Sequence, residues 1–346
     1  MRRCAANPLI TPGMVKPSAP GYRVKGVFNP GACQFGSETL LLLRVAEDCE
    51  APPGEAALPL APAEPGGQPG ILRLSLNDPA VQLKDTRGIV YQGTDYLSTL
   101  SHLRLARSAD GVRFTVEETP FLFPGRRRER FGVEDARLTR IEDRYYLTYT
   151  CVSPDGWATA LASTTDFVTL QDHGIIFPPQ NKDVSIFPEQ IAGRYWALHR
   201  PNNEGFGRPS IWISESPDLR HWGNHRCILR PRDTMWEEMK IGGGGPSLRT
   251  TDGWLQIYHA KGRDQVYSLF ALLLDAEEPW KVLAQGREPL LIPEADYETE
   301  GFFPNVVFTN GILADAHGGL RIYYGACDES VCLAETSVGE VLATLD

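Results

Sequence analysis

Acidic, amide and hydroxyl side chains recur along this chain in short motifs that each precede an apolar segment. The motifs combine Gly or Pro with a polar residue: FNPGA at 28–32, GVEDARL at 132–138, FPEQI at 187–191, GGPSL at 244–248 and FPNVVF at 303–308. Their polar members are Asn29, Asp135, Glu189, Ser247 and Asn305. If the fold brings these positions together, the amide, hydroxyl and acidic groups could bind a small polar molecule, and an acid among them could protonate it. Taken singly, each residue could equally cap a turn.

Basic residues stand near the same motifs and suggest a binding site for an anion. Arg44 and Arg200 lie at the ends of apolar segments, and the bases that flank the third and fourth motifs are Lys182, Arg200, Lys240 and His259. Bases beside the Gly-rich run 242–245 could hold phosphate through charge-assisted hydrogen bonds and backbone N–H groups. The run does not match the nucleotide-binding loop GxxxxGK[ST]. Scattered surface bases remain the alternative.

Five segments that repeat along the chain could position these groups. Each is a polar turn followed by about seven apolar or alternating residues, which is the pattern of a strand: 37–45, 143–150, 193–201, 252–260 and 318–326. A second motif with Asp110, Asp166 or Asp218 follows the first three. Repetition of a four-stranded unit predicts an all-β, five-bladed β-propeller whose inner strands line one channel. A β-sandwich is the alternative that five regular repeats disfavour.

The repeats cover the chain from end to end and predict one catalytic domain over 1–346. The first repeat is longer because it contains residues 47–70, which are rich in Ala, Pro and Gly. This composition predicts a mobile surface insert in the first blade.

Aromatic residues lie close to the polar motifs and favour a sugar as the ligand, because sugar rings stack on aromatic faces. They are Tyr22, Tyr96, Trp157, Tyr258, Phe302 and Phe303. Aromatic residues in the middle of predicted strands are expected to pack in the core instead.

Composition narrows the possible partners. The net charge of −10 disfavours nucleic acid and anionic membranes as partners. Seven cysteines without CxxC spacing predict neither a disulfide framework nor a metal site. The N-terminal residues lack the apolar core of a signal peptide, and no apolar run is long enough to span a bilayer, so we expect a cytoplasmic protein.

The motifs, in their order along the chain, resemble glycoside hydrolase family 130, which contains inverting β-mannoside phosphorylases and related β-mannosidases. The similar stretches include VFNPGA, FGVEDARLT, NKDVSIFPEQIAGRYWALHRP, KIGGGGPSL and IYYGACD. The resemblance runs almost end to end and implies a five-bladed β-propeller.

The resemblance also implies roles for individual residues. Asp135 matches the family's single catalytic acid, which protonates the leaving oxygen through the 3-hydroxyl of the mannosyl ring. Lys182, Arg200, Lys240 and His259 match its phosphate-binding bases, and Asn29, Arg44 and Asp328 match positions that contact the sugar. Many members carry Arg where this chain has Lys182, and Lys lacks the two-pronged geometry of a guanidinium. We add Glu189, Tyr258 and Asn305 as substrate-binding candidates.

Three functions therefore remain open at this level. The first is phosphorolysis of β-linked mannosides to α-mannose 1-phosphate, with inorganic phosphate as co-substrate and no cofactor. The second is an inverting β-mannosidase, in which Glu237 or Glu238 would activate water, since inverting hydrolases need a second carboxylate. The third is a propeller that binds sugar without chemistry. The linkage, the acceptor sugar and a possible homo-oligomer are not determined by the sequence.

Overall fold

The protein is built almost entirely from β-strands. A computed structural model describes residues 1–62, 64, 66–85, 88–202 and 205–346, with only the backbone of 84 and 85. In its first third the strands are β1 (Arg2–Arg3), β2 (Tyr22–Phe35), β3 (Glu38–Cys49), β4 (Glu55–Leu60), β5 (Gly70–Ser75), β6 (Val81–Asp85), β7 (Gly88–Tyr91), β8 (Thr94–Leu97), β9 (Leu100–Ser108) and β10 (Thr115–Val116).

The middle of the chain contributes eight strands and the last third another eight. The middle strands are β11 (Val133–Ile141), β12 (Arg144–Ser153), β13 (Gly156–Thr164), β14 (Gln171–Phe177), β15 (Asn181–Ile186), β16 (Tyr195–Pro201), β17 (Ile211–Ser216) and β18 (Gly223–Leu229). The last are β19 (Lys240–Gly243), β20 (Leu248–Arg249), β21 (Trp254–Lys261), β22 (Tyr267–Leu274), β23 (Val282–Gln285), β24 (Val307–Ala314), β25 (Gly319–Ala326) and β26 (Ser330–Ser337). Two short α-helices, α1 (Asp296–Thr299) and α2 (Val338–Leu342), and 3₁₀ turns at Pro12–Met14 and Arg127–Glu129 complete the described elements.

The strands form antiparallel sheets in chain order. Strands β11–β14 and β15–β18 make two four-stranded sheets, and β19, β21, β22 and β23 make a third with β20 paired to β21. A larger sheet has the order β1-β26-β25-β24-β2-β3-β9-β10, and its halves meet through a parallel pair of β2 and β24 at Gly31 and Asn310. The all-β prediction is confirmed.

The first strands of successive sheets contact one another and so bring the polar motifs together. Thr139 Oγ1 of β11 donates to the carbonyl of Ile186 in β15 at 3.2 Å, and Ser185 Oγ donates to the carbonyl of Gly245, just after β19, at 2.9 Å. Asn310 Nδ2 of β24 donates to the carbonyl of Asn29 in β2 at 3.2 Å. Gly31 of β2 lies so close to β11 that a Cβ added to it would be 2.7 Å from the carbonyl oxygen of Ala136.

The strands predicted at 143–150, 193–200 and 253–259 occupy equivalent places, because β12, β16 and β21 are each the partner of the first strand in their sheets. Their apolar residues Leu147, Leu198 and Ile257 are at most 1% exposed and lie in the core between neighbouring sheets. The apolar pattern of these strands follows from this burial on both faces.

The recurring Asp110, Asp166 and Asp218 cap turns. In each case Oδ1 accepts hydrogen bonds from the backbone N–H groups two and three residues later, at 2.8–2.9 Å. These hydrogen bonds stabilise the ionised carboxylate and lower its pKa, to about 2 for Asp110. This part of the repeat is therefore structural.

Residues 47–70, predicted as a mobile insert, include the end of β3, β4 and the first residue of β5. Strands β4 and β5 pair, and Leu58 of β4 is 2% exposed. The Tyr22 hydroxyl is 3.1 Å from the carbonyl oxygen of Leu60 and 2.8 Å from that of Gly70. Residues 63 and 65 of the insert lie outside the described residues, and the insert's mobility stays a prediction.

Candidate active site

A cavity of about 860 Å³ opens where the first strands of the sheets meet. Eight polar residues singled out from the sequence line it: Asn29, Arg44, Asp135, Lys182, Arg200, Lys240, His259 and Asp328. They come from seven strands and the loop after β25, so only the assembled fold brings them together. A concave site with a few convergent polar groups is the usual form of a small-molecule site.

Asp135 lies in a β-bulge of β11, where the pairing with β12 shifts register between Glu134 and Arg137. Its φ angle is +49°, in the left-handed region that Asp and Asn tolerate better than most residues. Asn29 has a φ angle of +48° in a similar bulge of β2. The two bulges turn both side chains out of the strand alternation, and Asn29 Nδ2 donates to Asp135 Oδ1 at 3.0 Å.

Arg44 holds the same carboxylate from β3. Its Nη1 donates to Asp135 Oδ1 at 3.1 Å, its Nη2 to Glu134 Oε1 at 2.9 Å and its Nε to Ser101 Oγ at 3.0 Å. The guanidinium also lies over the ring of Phe28, 4.8 Å from the centroid. Asn29 and Arg44 both donate to Oδ1. These two hydrogen bonds hold the Asp135 carboxyl in position through that oxygen.

The pKa of Asp135 reflects two opposing effects. Burial disfavours the charged form and would raise the pKa, but Arg44, Lys182 and Arg137 and the hydrogen bond from Asn29 favour it. The net effect lowers the pKa below the ordinary value of an Asp side chain. Asp135 is therefore ionised near neutral pH, and an anion bound beside Lys182 would weaken this effect.

Three basic side chains also line the cavity: Lys182, Arg200 and Lys240. Lys182 of β15 and Arg200 of β16 are paired residues in their sheet, and Lys240 begins β19. The pKa of Lys240 is well below its ordinary value because of burial and because Arg200, Lys182 and Lys261 repel a further positive charge. Among the described residues, the carboxylates that act on these bases are Asp183, which pairs with Arg200 and also acts on Lys240, and Asp135, which acts on Lys182.

We expect an anion that binds here to draw a proton onto Lys240, since its negative charge offsets the repulsion that lowers the pKa of the amine. Calorimetric titration with sulfate, at about pH 8 in two buffers of different ionisation enthalpy, should show net proton uptake. Sulfate is the probe because it does not itself titrate in this range. The Lys240→Met variant should lose the uptake. Equal uptake in the variant, or none in the wild type, would contradict this assignment.

Asp183 also lines the cavity and is absent from the sequence-based set. It lies in a bulge of β15 between Lys182 and Ser185, with a φ angle of +57°. The equivalent of GVEDARL in the β15–β18 sheet is therefore NKDVSI, not FPEQI. The sequence does contain a signal for Asp183. It is an acid within a short apolar strand, and the next strand ends in the residues His199, Arg200 and Pro201.

Three of the predicted substrate-binding residues lie outside the cavity. Glu189 follows β15 and is exposed, because the motif was aligned several residues too late. Tyr258 is fully buried, and its hydroxyl donates to Glu237 Oε1 at 2.5 Å. Asn305 precedes β24, and its backbone carbonyl accepts a hydrogen bond from the backbone N–H of Tyr267 at 3.0 Å. Ser247 is likewise buried and donates to Gln256 Oε1 at 2.6 Å.

The two carboxylates considered as bases for hydrolysis are also outside the cavity lining. Glu237 is 0% exposed and accepts from Arg232 Nε at 2.5 Å. Glu238 accepts from Arg263 Nη2 at 2.8 Å. Both are held by ion pairs away from the cavity that contains Asp135.

Aromatic rings line much of the cavity wall. Of the six predicted from the sequence, Tyr96, Trp157, Phe302 and Phe303 line it, whereas Tyr22 and Tyr258 do not. Tyr96 packs edge-to-face against Phe131, with ring centroids 5.6 Å apart. The cavity therefore combines apolar faces with a charged floor, as sugar sites do.

The described residues bear on two predictions from the sequence, which concern metal ions and membranes. No three or more His, Cys, Asp or Glu side chains lie close enough together there to hold a metal ion. Within the same residues, none of the helices has the length and apolar character needed to cross a membrane.

Comparison with known proteins places the chain in a family. The model of glycoside hydrolase family 130, described as beta-1,4-mannooligosaccharide phosphorylase, matches residues 75–346. The chain belongs to this family. A beta-1,2-mannobiose phosphorylase of Listeria innocua is 41% identical over 99% of this chain and 98% of its own length.

A solved structure and one further relative of this family 130 protein extend the comparison. The solved structure of the Listeria innocua beta-1,2-mannobiose phosphorylase, in complex with beta-1,2-mannobiose, has a TM-score of 0.94 and covers 99% of this chain and 98% of that one. A beta-1,4-mannooligosaccharide phosphorylase of Ruminococcus albus is 36% identical over 68% of this chain and 73% of its own length.

Proposed function

We propose that this family 130 protein catalyses inverting phosphorolysis of β-linked mannosides, releasing α-mannose 1-phosphate and the shortened sugar. The observation that carries the proposal is the placement of Asp135 and the cations Lys182, Arg200 and Lys240 around one cavity. An acid alone would serve many glycosidases, and cations alone would serve many anion-binding proteins. The two together match a reaction in which phosphate replaces water.

In this mechanism Asp135 is the general acid. Its Oδ1 is engaged by Asn29 and Arg44, which leaves Oδ2 to face a sugar hydroxyl that relays the proton to the leaving oxygen. Phosphate enters from the side of Lys182, Arg200 and Lys240 and attacks the anomeric carbon. The bond to the leaving oxygen breaks on the opposite face as the new carbon–oxygen bond forms, so the configuration inverts.

Phosphate also prepares the acid. Arg44, Lys182 and Arg137 lower the pKa of Asp135, and phosphate bound beside Lys182 offsets part of this effect. The carboxyl therefore holds its proton more readily when the nucleophile is present. Such coupling would favour protonation of the leaving group only in the complete complex.

Hydrolysis is the second candidate within the family, and the described residues favour it less. Phosphorolysis needs no second carboxylate, because phosphate is already an anionic nucleophile. Glu237 and Glu238, the bases considered for water, are engaged by Arg232 and Arg263 outside the cavity lining.

We further propose that the substrate is linked β-1,2 and that the fold is a five-bladed propeller. The linkage rests on the relative named for β-1,2-mannobiose, which matches nearly the whole chain. The blade count is supported by dividing the large sheet at its β2–β24 pairing, which yields two units of four strands beside the three sheets that begin at β11, β15 and β19. A charged sugar phosphate would be retained in a cell, which favours a cytoplasmic enzyme.

The decisive assay incubates the protein with β-1,2-mannobiose, with and without phosphate. We expect mannose and mannose 1-phosphate in equal amounts when phosphate is present, and negligible cleavage without it. β-1,4-Mannobiose should be a poorer substrate. Cleavage at the same rate without phosphate, with release of mannose alone, would replace this proposal by the β-mannosidase.

A further inference from the structure

The carboxylate of Asp183 is a meeting point for donors from three neighbouring strands. The side chain is 2% exposed. Its Oδ1 accepts from Arg137 Nη2 at 3.2 Å, its Oδ2 accepts from Arg200 Nε at 2.5 Å, and His259 Nε2 lies 3.4 Å from Oδ2. These partners belong to β11, β16 and β21, whereas Asp183 itself belongs to β15.

We propose that Asp183 is a positioning residue for phosphate: it orients Arg200 and His259 toward the co-substrate without touching the reacting atoms. This inference rests on the proposed phosphorolysis and deepens it. It states that the basic side chains of the phosphate site are held in a defined orientation, and that Asp183 holds them.

Asp183 fixes the orientation of the Arg200 guanidinium. Its Nε is taken by Asp183, so the guanidinium plane is determined and the terminal nitrogens face other acceptors; Nη1 is 3.4 Å from Asn202 Oδ1. A guanidinium held in this way offers a rigid pair of donors to phosphate, and less side-chain freedom is lost when the anion binds. Lys182, the residue paired with Arg200 across the strands, lies beside it.

Asp183 also determines which ring nitrogen of His259 carries the proton. Because Nε2 faces the Asp183 carboxylate, the ring proton is held on Nε2, and Nδ1 is left as an acceptor. Nδ1 is buried and has no hydrogen-bond partner among the residues described. Burial lowers the pKa of His259 to about 4, although Asp183 opposes this, so the ring is neutral at physiological pH. His259 thus belongs to the site as an oriented imidazole rather than as a further cation.

The backbone of β19 is built around this contact. A Cβ added to Gly242 would lie 2.4 Å from Asp183 Oδ2 and 2.6 Å from His259 Nε2. Neither atom is the end of a long flexible side chain, so one of them would have to move. Glycine at this position is what permits the carboxylate and the imidazole to approach each other.

Asp183 does not act as an acid or base itself. Burial opposes its charge, but Arg200, His259 and Arg137 more than compensate and hold its pKa well below the ordinary range. A carboxylate surrounded by three donors has no proton to exchange during turnover. Its role is therefore expressed through the groups it orients.

The test separates the KM for phosphate from the KM for the mannoside. We expect Asp183→Asn to raise the phosphate KM by about tenfold or more, with the mannoside KM changed by no more than about threefold. Glu237→Gln is the matched control, because Glu237 is also fully buried and paired with an arginine but lies outside the cavity lining. The control should lose stability without a selective change in phosphate KM.

Two further measurements keep the proposal testable if Asp183→Asn does not fold. Gly242→Ala retains every charged group and should also raise the phosphate KM selectively. In wild-type protein labelled with ¹⁵N-histidine, the resonances lost in His259→Gln should report a neutral ring protonated at Nε2 near neutral pH. A cationic ring, a proton on Nδ1, or equal changes in both KM values in the Asp183 and Gly242 variants would overturn the proposal.

Failure of the proposed function gives a different pattern. If the wild type cleaves mannosides without phosphate and binds no phosphate by calorimetry, the phosphorylase proposal fails. If phosphorolysis is present and the phosphate KM is unchanged in both variants, the role of Asp183 alone is wrong.

Discussion

Replacement of Asp135 by Asn is expected to lower the rate of phosphorolysis by about 10²–10⁴-fold, the usual contribution of general acid catalysis. Asn has the same shape, and its oxygen can still accept from Asn29 and Arg44, but it has no acidic proton to relay. Initial rates of mannose 1-phosphate formation at saturating phosphate measure the effect.

The fold of this variant must be checked, because Asp135 also contributes to stability. Its folded-state pKa is lowered, so the ionised carboxylate stabilises the protein above the unfolded-state pKa of about 3.9, and this contribution is lost as the pH falls through the folded-state value. Asp135→Asn should therefore melt at a somewhat lower temperature near neutral pH while remaining folded.

Glu189→Gln is the control, since Glu189 is an exposed acid from an analogous sequence motif and does not line the cavity. It should retain activity within a factor of about two, as surface substitutions generally do. Near-normal turnover by Asp135→Asn would move the acid elsewhere, and loss of activity in Glu189→Gln would show that the motif alignment from sequence was the better guide.

Arg200→Ala and Lys240→Ala are each expected to weaken phosphate binding by roughly 10- to 150-fold. A hydrogen bond to a charged group contributes about 1.5–3 kcal/mol, and each 1.4 kcal/mol is a factor of ten in affinity. Phosphate must enter a cavity that also contains Asp135 and Glu134, so removal of a neighbouring cation leaves it repelled. The phosphate KM reports the change, and the mannoside KM should change less.

Arg263→Ala removes a comparable cation outside the cavity lining. Arg263 pairs with Glu238 at 2.8 Å, and its side chain is 79% exposed. This control should leave both KM values unchanged. A similar loss of phosphate affinity in Arg263→Ala would show that the overall electrostatic field of the protein, rather than a local phosphate site, determines the affinity. An unchanged phosphate KM in both cavity variants would remove the phosphate site from its proposed place.

The local sequence was sufficient to predict the central strands of the sheets and most of the candidate residues for acid catalysis and anion binding. Alternating or continuous apolar runs predicted β12, β16 and β21, since strands buried between sheets need apolar side chains on both faces. Eight of the polar residues singled out line the same cavity, because the first two strands of neighbouring sheets bring them together. Recurrence alone was not sufficient, since Asp110, Asp166 and Asp218 recur as regularly and cap turns.

Two errors came from features that local sequence describes poorly. Glu189 was aligned with Asp135, whereas Asp183 occupies the equivalent bulge. One extra residue in a strand reverses the face of every following side chain, and a bulge leaves little trace beyond an Asp or Asn that tolerates a positive φ angle. Tyr258 was expected beside the substrate, but its place in β21 directs it into the core.

The sequence by itself determined the all-β class, the family and the candidate acid and bases, because these depend on residue type and on spacing along the chain. Only the tertiary structure decided which carboxylates share the cavity. Asp183 is held there by Arg137, Arg200 and His259 from three neighbouring strands, while Glu237 is drawn away by Arg232 and Tyr258. The environment of a carboxylate is set by partners distant in sequence, and those partners determine whether it binds substrate, positions a base or stabilises the core.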